Sequence, residues 1–274
     1  MSSAIKAFVF DWAGTMIDFG CMAPVRALQA AFADLKLELT EAEARADMGM
    51  AKRAHITAIL GRQPMRDRFV AVWGRPSDAS DIDALFDAVE PKMVEAAADC
   101  AVLIDGAADL AKSLRASGVR IGSGTGYSRS MMDAILKEAE AEGYSPEVVV
   151  CAGETTEGRP SPLMSWKALV ELGAWPSRAC VKVDDAEVGI TEGREAGMWT
   201  IGLAASGNGV GLTRADFDAL SDDERRERVA KSAEGLKAAG ADYVVDSVAD
   251  IAALLLEIEA RIAAGERPGE HHQN

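Results

Sequence analysis

Residues 4–15 read AIKAFVFDWAGT, and this stretch decides the architecture. An unbroken apolar run that stops at Asp11, with turn-forming Gly14 just beyond, is the pattern of a strand buried on both faces, as in a parallel sheet. Further runs share that character: VRIGSGTGY at 119–127, VVVC at 148–151, ACVKVDD at 179–185, a strand over 198–203 and ADYVVDS at 241–247. The second follows a helical stretch at 107–117 stopped by Gly118. The fourth leads into EGREAGMWTIGL, where a helix ends at Gly197, and the last precedes a closing helix over about 248–264. Strands alternating with helices predict an α/β fold built on a doubly wound, Rossmann-like parallel sheet.

Residues 20–99 break this rhythm. They carry helical periodicities over 24–35, 41–60 and 81–98 and no strand pattern. A helical segment inserted after the first strand predicts a cap over the carboxyl edge of the sheet, where open α/β sheets bind ligands. The expected division is a core of residues 1–19 and 100–274 with an inserted helical cap of residues 20–99, hinged near 19–24 and 97–104. The segment 205–232, Gly-rich and then charged, reads as a surface loop followed by an exposed helix.

Composition narrows the chemistry. The 274 residues are 49% apolar and 27% charged, as in ordinary globular proteins. A formal net charge of −15 argues against nucleic acid as a partner. There is no signal-peptide pattern and no apolar run approaching the roughly 20 residues of a membrane helix, so a cytoplasmic protein is expected. Four scattered cysteines, Cys21, Cys100, Cys151 and Cys180, read as reduced thiols. Of three histidines, His271 and His272 lie in the tail GERPGEHHQN, leaving His55 as the one internal imidazole. A zinc site cannot be assembled from that set, so any metal should be oxygen-ligated, which points to Mg²⁺.

Strand ends supply the oxygens. Asp11, Thr125 and the pair Asp184–Asp185 all arrive at one sheet edge, and Arg159 lies in the Pro-bounded loop GRPSP. Two carboxylates, a hydroxyl and a guanidinium suit a divalent cation plus a phosphoryl group, and an aspartate so placed can attack phosphorus to give an aspartyl-phosphate. Strand-end aspartates also cap helices, so it is their convergence that carries the reading.

The set DWAGT (11–15), SGTG (123–126), GRPSP (158–162) and VDD (183–185) resembles the haloacid dehalogenase superfamily, whose members form a phospho- or alkyl-aspartate on a Rossmann-like core. The superfamily's phosphatases usually carry a second Asp two residues after the nucleophile, where it protonates an oxygen leaving group. Here that position is Ala13. The loss of such an acid typically costs on the order of 10²–10⁴ in rate, so phosphatase or phosphomutase chemistry is disfavoured. In MGMAKRAH (48–55), Met48, Lys52 and His55 follow i, i+4, i+7 spacing and are expected on one face of one helix, with Gly49 permitting close approach. A helical Lys is ordinarily a solvated charge; closed over Asp11, this one would be desolvated and become a nucleophile toward a carbonyl. A Lys Schiff base makes an acid at position 13 unnecessary, because carbon then departs as a neutral enamine.

Together DWAGT, MGMAKRAH, SGTGYSR, GRPSP, VKVDD and EGREAGMWT resemble the phosphonoacetaldehyde hydrolase family over about residues 4–265. The resemblance implies cleavage of a carbon–phosphorus bond in a small phosphonate, giving acetaldehyde and phosphate, with Mg²⁺ as cofactor in a homodimer. It makes Asp11 the nucleophile and a metal ligand. It makes Ala13 a ligand through its carbonyl, Asp185 the remaining metal carboxylate and Lys52 the Schiff-base amine. Cys21, Met48, His55 and Tyr127 would order the amine, substrate and water. Thr125, Gly126, Arg159 and Gly49 would bind the substrate. Some relatives carry a further Asp four residues after the metal Asp; here that is Gly189, leaving Asp184 or Glu187 to supply a carboxylate through water. A non-catalytic protein that merely keeps the fold is the competing reading, and turnover of any phosphonate dismisses it.

Overall fold

A computed structural model describes residues 3–269; His271 and His272 lie outside the described residues. Six strands, β1 (Ala7–Phe10), β2 (Arg120–Gly124), β3 (Val148–Val150), β4 (Cys180–Asp184), β5 (Trp199–Leu203) and β6 (Tyr243–Val245), form one sheet in the order β3-β2-β1-β4-β5-β6. All five pairings are parallel. β1 is central: Val9 pairs with Gly122 on one side and Lys182 on the other. The chain builds outward from β1 to β3, then crosses to β4, so the loops leaving β1 and β4 part company. That switch point opens a crevice at the carboxyl edge.

Alternate residues of β1 serve opposite faces. Ala7 and Val9 pack with Met164, Ala168 and Leu172 of α8 (Leu163–Leu172), while Phe8 and Phe10 join the larger core on the other face. The remaining core helices are α6 (Ala107–Ala116), α7 (Arg129–Ala141), α9 (Glu187–Glu195), α10 (Arg214–Asp218), α11 (Asp222–Ala238) and α12 (Leu255–Ala263). The expected closing helix is shorter, because Val248–Leu254 forms 3₁₀ turns before α12 begins.

Between β1 and α6 lie α1 (Met22–Asp34), α2 (Glu41–Arg45), α3 (Lys52–Gly61), α4 (Gln63–Trp73) and α5 (Ala79–Cys100). α1 packs along α5, and α5 also meets α7. Two expectations here are corrected. The single helix anticipated over 41–60 is two, α2 and α3, because residues 46–51 leave helical geometry. Gly49 sits at φ 91°, and a Cβ there would lie 2.7 Å from Val188 Cγ2. The backbone therefore presses against the start of α9 at a position only Gly tolerates well. Met48 consequently does not share a helical face with Lys52. α4 was not anticipated; only Met65 and Phe69 of its residues are buried, too sparse a stripe to register as a period.

The expected surface loop after β5 is also corrected. Ala204, Ala205 and Ser206 are buried, and Ser206 accepts from the Gly20 N–H at 2.7 Å and donates its hydroxyl to the Gly14 carbonyl at 2.7 Å. This loop closes over the first loop of the sheet. Among the described residues, no helix is long and apolar enough to cross a membrane.

Candidate active site

The floor is built by the loops leaving β1 and β4. Asp11 extends the ladder for one residue, its N–H donating to the Val183 carbonyl at 3.0 Å. The chain then turns about the Trp12 carbonyl, which accepts from the N–H groups of Thr15, Met16 and Ile17. The buried Trp12 indole holds the turn by donating to Ser123 Oγ at 2.9 Å. Gly14 (φ 80°) is required by space as well as conformation: a Cβ there would lie 2.5 Å from Cys21 Sγ and 2.6 Å from Asp185 Oδ2. Asp185 Oδ2 accepts from the Asn208 N–H at 2.7 Å and the Cys21 thiol at 3.2 Å, and Oδ1 accepts from Thr15 Oγ1 at 3.3 Å. The same thiol lies 3.1 Å from the Ala13 carbonyl oxygen.

Asp11, Asp184 and Asp185 each present an oxygen within 4.8 Å of the others, and all three are buried. Asp184 Oδ1 accepts from the Ala186 N–H at 3.1 Å, while its Oδ2 accepts no hydrogen bond. That oxygen is paired by charge alone, to Lys182 Nζ at 3.0 Å and Arg159 Nη2 at 3.4 Å. The Asp184 carboxyl also fills the space where a side chain at Gly189 would stand, 2.0 Å from a Cβ built there. Glu187 is exposed and turned toward Gly235, away from the site.

Arg159 organises the other wall. Its Nη1 meets Asp11 Oδ1 at 2.8 Å, Nη2 donates to the Gly124 carbonyl at 2.8 Å, and Nε donates to Glu192 Oε2 at 2.8 Å. Glu192 is fully buried and also accepts from Ser165 Oγ at 2.7 Å. Thr125 stands beside this group, its Oγ1 accepting from the Tyr127 N–H at 3.1 Å.

The roof comes from the helical insert. Lys52, the first residue of α3, is 4% exposed, and its Nζ lies 5.6 Å from the centre of the Tyr127 ring. Gly126 lets this roof descend: a Cβ there would lie 2.9 Å from the Met50 carbonyl oxygen. The cavity between floor and roof is about 30 Å³, room for on the order of one water. Every candidate residue lines it except His55 and Glu187, joined by Pro24, Met50 and Ala186. His55 is fully buried behind Lys52, with neither ring nitrogen in hydrogen-bonding geometry, although the Ala44 backbone lies near enough to favour its charged form slightly. A larger cavity, about 400 Å³ beside Arg178 and Arg194, lacks any such convergence of buried groups.

Burial dominates the electrostatics. It lifts Asp11 to about 6 against the pull of Arg159, and lifts Asp185 to about 8 with help from the neighbouring Asp11 and Asp184 charges. At Asp184 burial also raises, but Arg159 and Lys182 outweigh it and hold the group below the usual carboxylate value. Burial drops Lys52 to about 8, opposed by Asp11 and aided by Arg159. His55 falls to about 3 through burial and the nearby Lys52, and is therefore neutral. The Cys21 thiol and Tyr127 phenol are pushed well up by burial and so stay protonated.

The donor set fits a hard divalent cation. Four buried acids (Asp11, Asp184, Asp185, Glu192) face two buried cations (Arg159, Lys182), leaving two formal negative charges apart from Lys52. Three buried carboxylates with an oxygen each inside one small space are what such ions select. Asp11, Asp184 and Asp185 could hold a metal ion.

Lys182, Glu192, Ser206 and Asn208 were not foreseen in the site. A lysine inside the apolar run CVKVD was a legible signal for the first. The others depend on which loop folds back over which.

The family model for haloacid dehalogenase-like hydrolases matches residues 5–197. A phosphonoacetaldehyde hydrolase of Paraburkholderia xenovorans is 46% identical over 264 residues, 96% of this chain and 99% of that protein. One from Vibrio cholerae is 42% identical over 270 residues, 98% of this chain and all of that protein. A crystal structure of a phosphonoacetaldehyde hydrolase-like protein from Oleispira antarctica superposes with a TM-score of 0.95 at 40% identity, covering 98% of each chain.

Proposed function

The chain belongs to the haloacid dehalogenase-like hydrolases and, within them, to the phosphonoacetaldehyde hydrolase family; from that premise we propose that its cavity splits phosphonoacetaldehyde into acetaldehyde and phosphate, with Lys52 and Asp11 as the two nucleophiles. The observation that carries the reading is a desolvated amine and a strand-end carboxylate lining one cavity, with Ala13 where an acid would otherwise stand.

The neutral Lys52 amine adds to the aldehyde carbon, and loss of water with uptake of one proton from solvent leaves a cationic iminium one carbon from phosphorus. Asp11 then attacks phosphorus. The electrons of the carbon–phosphorus bond pass into the iminium, so the carbon fragment leaves as a neutral enamine and Asp11 carries the phosphoryl group. Protonation of the enamine carbon, followed by water at the imine, releases acetaldehyde and restores Lys52. Water attacking the aspartyl-phosphate releases phosphate and restores Asp11.

Arg159 and Thr125 steady the phosphoryl oxygens, with Gly126 and Gly49 letting the insert close down beside them. Tyr127 faces the amine, its ring favouring the cationic iminium, while Cys21 and Met48 close the pocket around it. Lining contact is absent for His55, so its part is to shape α3 beneath Lys52. Mg²⁺, held by Asp11, Asp185 and the Ala13 carbonyl, would supply charge neutralisation for the phosphoryl group.

A cavity for one water cannot admit the substrate, so residues 20–99 must lift from a core of 1–19 and 100–274, bending near 19–24 and 97–104. We place the enzyme in the cytoplasm as a homodimer, an assembly that light scattering checks.

The test is mass spectrometry after incubation with phosphonoacetaldehyde, borohydride reduction and digestion. A reduced two-carbon adduct on the Lys52 peptide, with Mg²⁺-dependent phosphate release from an unreduced sample, is the expected result. An unmodified Lys52 together with phosphate release from ordinary monoesters would return the protein to the phosphatases.

A further inference from the structure

Arg45, the last residue of α2, reaches from the helical insert into the loop after β5, and its side chain is only 12% exposed. Nη1 donates to the Gly20 carbonyl at 2.8 Å and to Asn208 Oδ1 at 3.2 Å, and Nη2 donates to the Gly211 carbonyl at 2.9 Å. Nη2 also lies 3.3 Å from Met22 Sδ, and Nε donates to Glu41 Oε1 at 2.8 Å. Asn208 reciprocates, its Nδ2 donating to the Arg45 carbonyl at 3.2 Å. The backbone makes room for this guanidinium: a Cβ on Gly211 (φ 67°) would lie 2.7 Å from Arg45 Nε. One planar fork of five donors therefore ties α2, the first hinge and the loop after β5 together, a geometry that lysine cannot reproduce.

The loop so held carries Asn208, whose backbone N–H donates to Asp185 Oδ2 at 2.7 Å. We propose that Arg45 is a positioning residue: a clasp that, with the insert docked, fixes Asn208 and through its N–H the orientation of Asp185, coupling metal affinity to docking of the insert. The inference rests on the reading of Asp185 as a metal ligand. Partners that orient a metal ligand are typically worth about 10–100-fold in metal affinity. The coupling is reciprocal, so the metal must hold the insert down as strongly as the docked insert holds the metal.

The test uses the full-length protein with Mn²⁺ as probe and no substrate. Free Mn²⁺ is read by electron paramagnetic resonance, and hydrogen exchange is followed over residues 204–213. Arg45→Met and Asn208→Ala should each weaken Mn²⁺ binding about 10–100-fold and speed exchange in that segment. The double variant should be no weaker than the worse single one, since both act through one set of bonds. Affinity within about twofold of the parent in both single variants, or fully additive losses, overturns the clasp. Should Arg45→Met fail to fold, Arg45→Lys and Asn208→Ala carry the same two outcomes, because lysine keeps the charge and lacks the fork. A parent protein that binds no Mn²⁺ overturns it as well. Failure of borohydride capture at Lys52, with the Mn²⁺ coupling intact, would instead strike the reaction proposed above and leave the clasp standing.

Discussion

Lys52 should capture an aldehyde at neutral pH far faster than an ordinary lysine, and the structure supplies the size of the effect. Burial brings its pKa from an ordinary 10.5 to about 8. At pH 7 about one molecule in ten then carries the neutral amine, against about 0.03% for an unperturbed lysine, a factor of about 300. The informative perturbation is Asp11→Asn. It stops phosphoryl transfer, so the imine accumulates, and it removes a charge that favours the ammonium form, so the midpoint should move below 8. The assay is the initial rate of cyanoborohydride-trapped adduct on the Lys52 peptide, measured from about pH 6 to about pH 10 in parent and variant. A midpoint near 10.5, or a variant whose midpoint stays put or rises, would refute the argument that burial and Asp11 together set this amine.

Three further outcomes follow from the same geometry. Without metal, Asp185 titrates near 8 and Asp11 near 6, above their ordinary 3.8. The native state thus holds protons that the unfolded chain does not, so the metal-free protein should gain stability as pH falls from about 8 toward about 4. Protons and cation compete for the same oxygens, so calorimetry should show Mg²⁺ raising the melting temperature more at about pH 8 than at about pH 6, and an increment independent of pH would contradict this. Ala13→Asp should introduce release of alcohol from a simple alkyl phosphate ester, whose oxygen must be protonated as it leaves; a variant that releases none removes the argument built on position 13. Gly189→Ala places a methyl 2.0 Å from the Asp184 carboxyl, displacing it from Arg159 and Lys182. It should cost about 3 kcal/mol in urea unfolding, and an unchanged midpoint would mean that Asp184 does not occupy that space.

Much of the fold was legible because it rests on local pattern. Apolar runs ending at Asp11, Gly124 and Asp184, each short and bounded by turn residues, read as buried strands, and their order with intervening helices leaves few topologies. Strand-end residues reach one edge by the direction of a parallel sheet, so Asp11, Thr125 and Asp185 follow from chain order alone. Lys52 was legible through its motif, yet its one-face relation to Met48 was not real: Gly49 breaks the helix because the chain must press against Val188, a contact between residues 139 positions apart (188 − 49).

What only the tertiary structure decided is where distant segments meet. The burial of Lys52, on which its proposed role as a nucleophile depends, arises because the insert folds down over β1 and β2. Glu192 is a charge in an element that reads as an ordinary helix until Arg159 and Lys182 meet it. The loop after β5, by composition a surface linker, becomes a lid on Asp185 through Ser206 and Asn208. Periodicity reports which face of an element is buried; it carries no information about which polar group waits on the other side, and in this protein that pairing decides Asp184, where Arg159 and Lys182 outweigh burial.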